Sequence, residues 1–244
     1  MQRFFCPPQN ITAEQAIISD QQEIRHIKNS LRLRPQDQVV VFDGQGNEYR
    51  GKIKEITSKI IINDIAKINS LSQGRMAKIT VACAIPKQYK IDQIIDKLTQ
   101  LGIDKIIPLE TERVVIKLDK SKLRLKQERW RKIALSAAKQ SQRNSLPVIE
   151  DLQDIRQVLT GSADYDLKII PTLLGPRKEL RQILAKSQYR NILVLIGPEG
   201  DFTEEEVAYC KACGCIPVSL GDTVLRVETA AVATVSFIRL SYPL

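Results

Sequence analysis

A chain of 244 residues, 43% of them hydrophobic, is long enough for one large domain or two modest ones around a real core. No apolar run approaches the ~20 residues that span a bilayer. Residues 1–10 lack the charged start and apolar segment of a secretory signal. The sequence therefore predicts a soluble cytoplasmic protein without a membrane partner. The net charge of +9 is unevenly placed: residues 113–143 carry 11 Lys/Arg against 2 Asp/Glu, whereas residues 144–244 carry 10 against 13. So dense a basic stripe is the footprint of a polyanion such as RNA or DNA, with a merely solvated helix face as the plainer alternative.

A short helix is predicted from Asp20, with Glu23 three residues on to close a capping box. Residues 38–42 and 48–56 are apolar-rich runs on either side of Asp43-Gly44-Gln45-Gly46-Asn47. Glycines there permit positive φ, so the pair predicts a hairpin. Residues 59–65 predict a third strand, and the first 66 residues as a whole a small β-barrel. The polar segment 69–74 reads as a linker, giving predicted domains 1–72 and 73–244. Strands then alternate with helices. Strands are predicted at 78–84, 105–109, 167–170 and 191–196, with another ending at Leu220. Helices are predicted at 91–101, 127–143, around 178–184, 203–212 and 228–240. This alternation predicts an α/β domain with a mostly parallel sheet covered on both faces. In 127–143, Trp130, Ile133, Ala134, Ala137, Ala138 and Ser141 share one stripe, and Lys132, Ser136, Lys139 and Arg143 another. Trp130 and Tyr89 read as packing groups and His26 as an ordinary helix residue.

Two segments point to chemistry. In the first, the apolar run 193–196 enters Gly197-Pro198-Glu199-Gly200. Thr203 then caps a helix, with Glu206 placed to complete the capping box. Ligands of parallel sheets sit beyond the carboxyl ends of strands, and glycines let them touch backbone. In the second, Leu220-Gly221 leads to Leu225-Arg226-Val227-Glu228-Thr229-Ala230, an arginine and a glutamate opening a helix of small residues. Taken alone, each segment is also compatible with an ordinary strand–turn–helix junction or a local ion pair. Cys210, Cys213 and Cys215 raise the question of a metal. Without a fourth ligand, and with His26 distant in sequence, they read better as a helix end running into a strand.

These two loops resemble the GPEGG-type and LG-x-x-(I/V)LR-x-ETA motifs of the ribosomal RNA small-subunit methyltransferase E family, one of the SPOUT methyltransferases. The resemblance spans the chain. Met1-Gln2-Arg3-Phe4-Phe5, residues 42–49, residues 97–102, Glu112-Arg113-Val114-Val115 and Gln140-Ser141-Gln142-Arg143-Asn144 with Pro147 are similar to the family's other motifs. Departures are Asp201 for the second glycine of GPEGG, Gln100 for a glutamate, Asp222-Thr223 for Pro-Arg, and Val227 for a threonine. The resemblance implies a PUA-like β-barrel RNA-binding domain at 1–72, followed by a trefoil-knotted methyltransferase domain at 73–244 that forms a homodimer. It implies S-adenosylmethionine as cofactor, no metal, and a cofactor wall of Leu173, Ile196, Gly197, Gly200, Leu220, Leu225, Arg226 and Glu228.

The implied reaction is methylation of uridine N3 in the decoding region of 16S rRNA within the small ribosomal subunit. Arg226 would favour the uridine anion, and Glu199 or Glu228 would accept the proton. Arg113, Arg129, Arg131, Lys132, Lys139 and Arg143 would contact RNA phosphates, as would Arg3 from the barrel. Three rivals are a nonenzymatic RNA-binding protein of ribosome assembly, a SPOUT enzyme acting on another nucleotide, and a Rossmann-type metabolic enzyme. The last would want a glycine fingerprint in the first βα turn, where Ala84-Ile85-Pro86-Lys87 stands instead.

Overall fold

The structure is a computed structural model that describes residues 1–68, 77–86, 90–113, 120–185 and 188–242. The expected linker at 69–74, Tyr89 and the Val114-Val115 pair lie outside the described residues. The chain divides into two units, Met1–Gln73 with Ala138–Leu146, and Gly74–Ala137 with Pro147–Leu244. Residues 138–146 thus group with the first unit, an excursion that a single cut after residue 72 does not contain.

The first unit holds β1 (Gln2–Phe5), β2 (Gln15–Ile18), α1 (Gln21–Arg25), β3 (Gln38–Phe42), β4 (Glu48–Ile56) and β5 (Ile60–Ile68). They form one five-stranded sheet in the order β1-β3-β4-β5-β2. The β3–β4 pair is the hairpin expected from the sequence. Gly44 and Gly46 take φ of +76° and +103° in its turn, and Asp43 Oδ1 accepts the Gln45 and Asn47 amides at 2.7 and 3.0 Å. Alternation builds the core: Val39 and Val41, and Ile60 and Ile62, are fully buried two residues apart. Asp20 caps α1 by accepting the Glu23 amide at 2.8 Å. The Glu23 carboxylate is ion-paired with Lys139 of the same unit.

The second unit contains β6 (Lys78–Ala84), α2 (Lys90–Gln100), β7 (Lys105–Glu110), α3 (Lys120–Gln140, through its first eighteen residues), β8 (Val148–Ile149), β9 (Gln153–Asp154), α4 (Ile155–Thr160), β10 (Leu167–Pro171), β11 (Lys178–Glu179), α5 (Leu180–Leu184), β12 (Asn191–Ile196), α6 (Glu204–Ala212), β13 (Ile216–Ser219) and α7 (Val227–Ser241). Its sheet is parallel throughout, in the order β11-β13-β10-β12-β6-β7-β8, with β9 also on β7. The central strand β12 explains the two-sided cover. Ile192, Val194 and Ile196 enter one core cluster with residues of α2, α3, α5 and α7, while Leu193 and Leu195 enter another with residues of α4 and α6. Each such fully buried side chain contributes roughly 1.5–3 kcal/mol. Arg239 of α7 fastens this helix to the loops around β6 and β7, donating to the carbonyls of Ala77, Leu101 and Gly102.

Two helices differ from the sequence expectation. α3 begins at Lys120 rather than 127 and ends at Gln140 rather than 143. Gln142 at φ +58° breaks it, and the Arg143 amide folds back to the Ala138 carbonyl at 2.9 Å. The segment around 178–184 opens with the short strand β11, and only Leu180–Leu184 is helical.

Candidate functional site

In a parallel sheet every strand delivers its following loop to the same edge. Adjacent strands β13, β10 and β12 therefore gather three loops at their carboxyl ends. Between these loops lies an open cavity. The β10 loop lines it with Thr172, Leu173 and Arg177, and the β12 loop with Gly197, Pro198, Glu199 and Asp201. The β13 side adds Leu220, Gly221, Thr223, Val224 and Leu225, and α7 closes the cavity with Val227 and Ala230. Two large apolar side chains on its rim stand open to solvent, Leu173 at 51% and Val224 at 74% exposure.

The β12 loop is held from several directions. Pro198 to Asp201 forms a turn in which the Asp201 amide donates to the Pro198 carbonyl at 3.0 Å. Asp201 adopts φ +60°, a left-handed conformation that aspartate tolerates better than most residues. Arg113 Nη1 donates to the carbonyls on either side, Gly200 at 2.6 Å and Phe202 at 3.3 Å. The expected capping box is complete: Thr203 Oγ1 accepts the Glu206 amide, and Glu206 Oε2 accepts the Thr203 amide. The other oxygen of Glu206 accepts the Glu112 amide at 2.8 Å. Gly197 is required sterically, because a Cβ there would lie 2.9 Å from Cε2 of the buried Phe202 ring.

Of the residues expected at a cofactor wall, Leu173, Ile196, Gly197, Leu220 and Leu225 line this cavity, as does the candidate base Glu199. Gly200, Arg226 and Glu228 are not among its lining residues. Arg226 is the exposed N-cap of α7, flanked in sequence by the lining residues Leu225 and Val227. Glu228, in the first turn of α7, is 3.8 Å from Lys90 Nζ. It borders a second concavity shared with Asp92, Asp96 and Arg129. Glu199 and Glu228 act on a common neighbour. Burial, and behind it the negative charges of Glu199 and Glu228, push the Cys83 thiol at the end of β6 up to about 12.

The candidate RNA contacts separate into two kinds. Arg131 and Lys132 are exposed, with no ion pair among the described residues. Arg129 pairs with Asp92 at 2.6 Å, and Lys139 with Glu23. Arg143 donates to Ser145 Oγ at 3.1 Å. Arg3 bonds Glu48 and the Arg143 carbonyl while its guanidinium lies 4.0 Å from the centre of the Phe42 ring. Arg113 is the brace of the β12 loop already described.

The cysteines fall where a helix end meets a strand, as read from the sequence. Gly214, at φ +84°, follows α6; the Cys215 amide bonds the Cys210 carbonyl and the Gly214 amide bonds the Lys211 carbonyl. This is a Schellman cap whose apolar contact positions are both cysteines. Among the described residues no group of three or more His, Cys, Asp or Glu side chains could hold a metal ion. None of the described helices is long and apolar enough to cross a membrane.

Sequence reasoning missed the part played by the β10 loop beyond Leu173. The available signal was Gly175-Pro176 following the strand 167–170, the same strand-then-glycine pattern that marked the other two loops. Asp201 stood out in the sequence only as a departure from a glycine; its carboxylate bonds could not be read there.

Known proteins resemble this chain along nearly its whole length. An RNA methyltransferase domain family matches residues 73–239, and an RNA methyltransferase PUA domain family matches residues 18–63. The ribosomal RNA small subunit methyltransferase E of Bacillus subtilis is 30% identical over 245 residues, covering 98% of this chain and 96% of the relative. Its namesake in Synechocystis is 31% identical, covering 92% of this chain and 72% of the relative. Among solved structures, a ribosomal RNA small subunit methyltransferase E from Neisseria gonorrhoeae bound to S-adenosyl methionine superposes with a TM-score of 0.85. It is 26% identical, covering 98% of this chain and 97% of that one.

Proposed function

Because the chain belongs to the ribosomal RNA small subunit methyltransferase E family, we propose that it methylates N3 of a uridine in the decoding region of 16S rRNA with S-adenosylmethionine as donor. The observation that carries this reading is the three-loop cavity at the carboxyl ends of β10, β12 and β13. Its residues fit the donor. The exposed apolar rim of Leu173 and Val224 suits a purine ring that would cover it. Glu199 gives a negative lining suited to a sulfonium, and Arg177 can meet a carboxylate.

When bound, S-adenosylmethionine supplies a methyl group on a sulfonium leaving group, chemistry that needs no metal. The protein's own share is alignment and one proton. Holding donor and acceptor in line contributes at best roughly 7–11 kcal/mol. Neutral uracil N3 carries a proton, so its lone pair becomes available only when that proton leaves. Of the two candidate carboxylates Glu199 lines the cavity, and we assign it the proton. The new N3–methyl bond forms as the sulfur–methyl bond breaks, and the N3 proton passes to Glu199. Arg226, exposed at the start of α7, favours the uridine anion, while Glu228 lies outside the cavity's lining, 3.8 Å from Lys90 Nζ.

Residues 1–72 orient the RNA and 73–244 perform the transfer, in the knotted arrangement that the family resemblance implies. The protein acts as a homodimer in the cytoplasm. Support for dimerisation is the exposed apolar pair on α7, Phe237 at 39% and Leu240 at 87%. Two measurements test the reading. Calorimetry with a chelator present should show S-adenosylmethionine binding. Nucleoside mass spectrometry of 16S rRNA from a strain lacking the protein should show the loss of 3-methyluridine and its return on complementation. Intact 3-methyluridine in that strain would refute the substrate assignment.

A further inference from the structure

The carboxylate of Asp201 is the meeting point of two loops of the cavity. Its Oδ2 accepts the Thr172 hydroxyl at 2.9 Å and the Leu173 amide at 2.6 Å, both from the β10 loop. Its Oδ1 accepts the Phe202 amide at 2.8 Å within its own loop. The chain of bonds continues on the far side. Thr172 Oγ1 accepts the Leu174 amide at 3.1 Å, and Arg177 Nη1 donates to the Thr172 carbonyl at 3.3 Å. Thr172, Leu173, Arg177 and Asp201 all line the cavity. The residues flanking Asp201 are themselves anchored through Arg113. A fixed carboxylate thus holds a segment that has otherwise left its strand, and that segment presents the half-exposed Leu173 side chain to the cavity.

We propose that Asp201 is a positioning residue that clamps the β10 loop to the β12 loop and so sets the width of the cofactor slot. This rests on the reading of the cavity as the S-adenosylmethionine site. An ionised carboxylate is the group the site needs, because it is acceptor-only on both oxygens and three donors converge on it. Asparagine cannot replace it. Whichever way its amide turns, an NH2 group faces either the Leu173 amide or the Phe202 amide, and one backbone donor loses its acceptor. Glycine would keep the left-handed backbone without strain but would remove every bond. Glycine therefore breaks the whole clamp with the backbone conformation kept, whereas asparagine breaks one of its backbone bonds.

The experiment uses Asp201→Asn and Asp201→Gly in the full chain. Without ligand, amide hydrogen exchange at Leu173 should quicken by about tenfold or more in Asp201→Gly, where the bond protecting that amide is gone, and in Asp201→Asn it should quicken at Leu173 or at Phe202, whichever amide faces the NH2 group. In calorimetry, S-adenosylmethionine affinity should fall by about tenfold. In steady-state assays its KM should rise likewise, with kcat at saturation within about twofold, the pattern of lost uniform binding. Adding Thr172→Val should cost less affinity in the Asp201→Gly background than in the wild type, because the partner bond is already broken. Unchanged exchange at Leu173 in Asp201→Gly, or a fall in kcat with unchanged affinity, overturns the clamp. Failure of the wild-type protein to bind S-adenosylmethionine overturns the cofactor reading instead. In that case the ligand-free exchange result still decides whether Asp201 ties the loops.

Discussion

The loops after β12 and β13 face the same cavity, yet they are built differently. Around Gly197–Phe202, Arg113 holds two carbonyls, Asp201 receives three donors and a complete capping box follows at once. In residues 221–226 the hydrogen bonds among the described residues are those between Ser219 and Gly221 and the Arg226 carbonyl that opens α7. Asp222, Thr223, Val224 and Arg226 of this loop are exposed. One wall is held by bonds within the protein itself. The other has few bonds of its own to lose, and its apolar rim gains most from being covered. A pocket with one braced and one bare wall can hold a donor in register while leaving an entrance.

The sharpest test of this contrast concerns chemistry. Glu199 stands in the braced loop and Arg226 at the end of the bare one. If Glu199 takes the proton, Glu199→Gln should lower the single-turnover rate by about a hundredfold, or ~2.7 kcal/mol of barrier, with cofactor affinity nearly kept. Arg226→Ala should lower it by about tenfold. A Glu199→Gln rate near the wild type, with Glu228→Gln slow, would move the base to α7.

Glycine replacements come next in size and break the two walls for different reasons. A methyl group at Gly197 meets Phe202 Cε2 at 2.9 Å and its amide nitrogen at 3.3 Å. Phe202 is fully buried and cannot retreat, so Gly197→Ala should destabilise the fold by about 1–3 kcal/mol in denaturant titration. At Gly221 a Cβ meets nothing within 4 Å, but φ is +120°. That conformation disfavours any side chain, and the lightly bonded loop can relax to avoid it. Gly221→Ala should therefore leave stability within about 0.5 kcal/mol while weakening cofactor binding several-fold. Equal stability losses in both variants would erase the distinction between the walls.

How much of this was legible in the sequence follows from what each feature depends on. Strands β3, β4 and β12 and the capping box at Thr203 are local patterns of period and spacing, and they appear where the sequence places them. The end of α3 depends on a left-handed Gln142, which no local propensity announces. The grouping of residues 138–146 with the first unit depends on pairings such as the Leu146 amide to the Gly44 carbonyl, a hundred residues apart. The same holds for Arg113. Its charge was visible and suggested RNA, but its partners, Gly200 and Phe202, come from the loop after β12, nearly ninety residues further along the chain. Charge patterning counts cations. It cannot tell which of them the fold has already engaged.

That last distinction yields the smallest expected effect and a direct measurement of it. Arg131 and Lys132 are exposed on α3 without an ion pair among the described residues, whereas Arg129 and Lys139 are paired with Asp92 and Glu23. A cation already neutralised by a carboxylate displaces fewer counterions from a phosphate backbone than an unpaired one. Each phosphate contact contributes roughly 0.7–0.9 to the slope of log affinity against log salt. Replacing Arg131 and Lys132 together with alanine should therefore flatten that slope by ~1.4–1.8 and weaken binding to specific and scrambled RNA alike. Replacing Arg129 and Lys139 should change the slope by less than half as much, although it also breaks two ion pairs. Filter binding across a salt series with both double variants reads the two effects side by side. If the paired residues flatten the slope as much as the unpaired ones, RNA competes away their carboxylate partners and the whole stripe is the interface. If neither pair changes it, α3 presents only a solvated face and the RNA is gripped elsewhere.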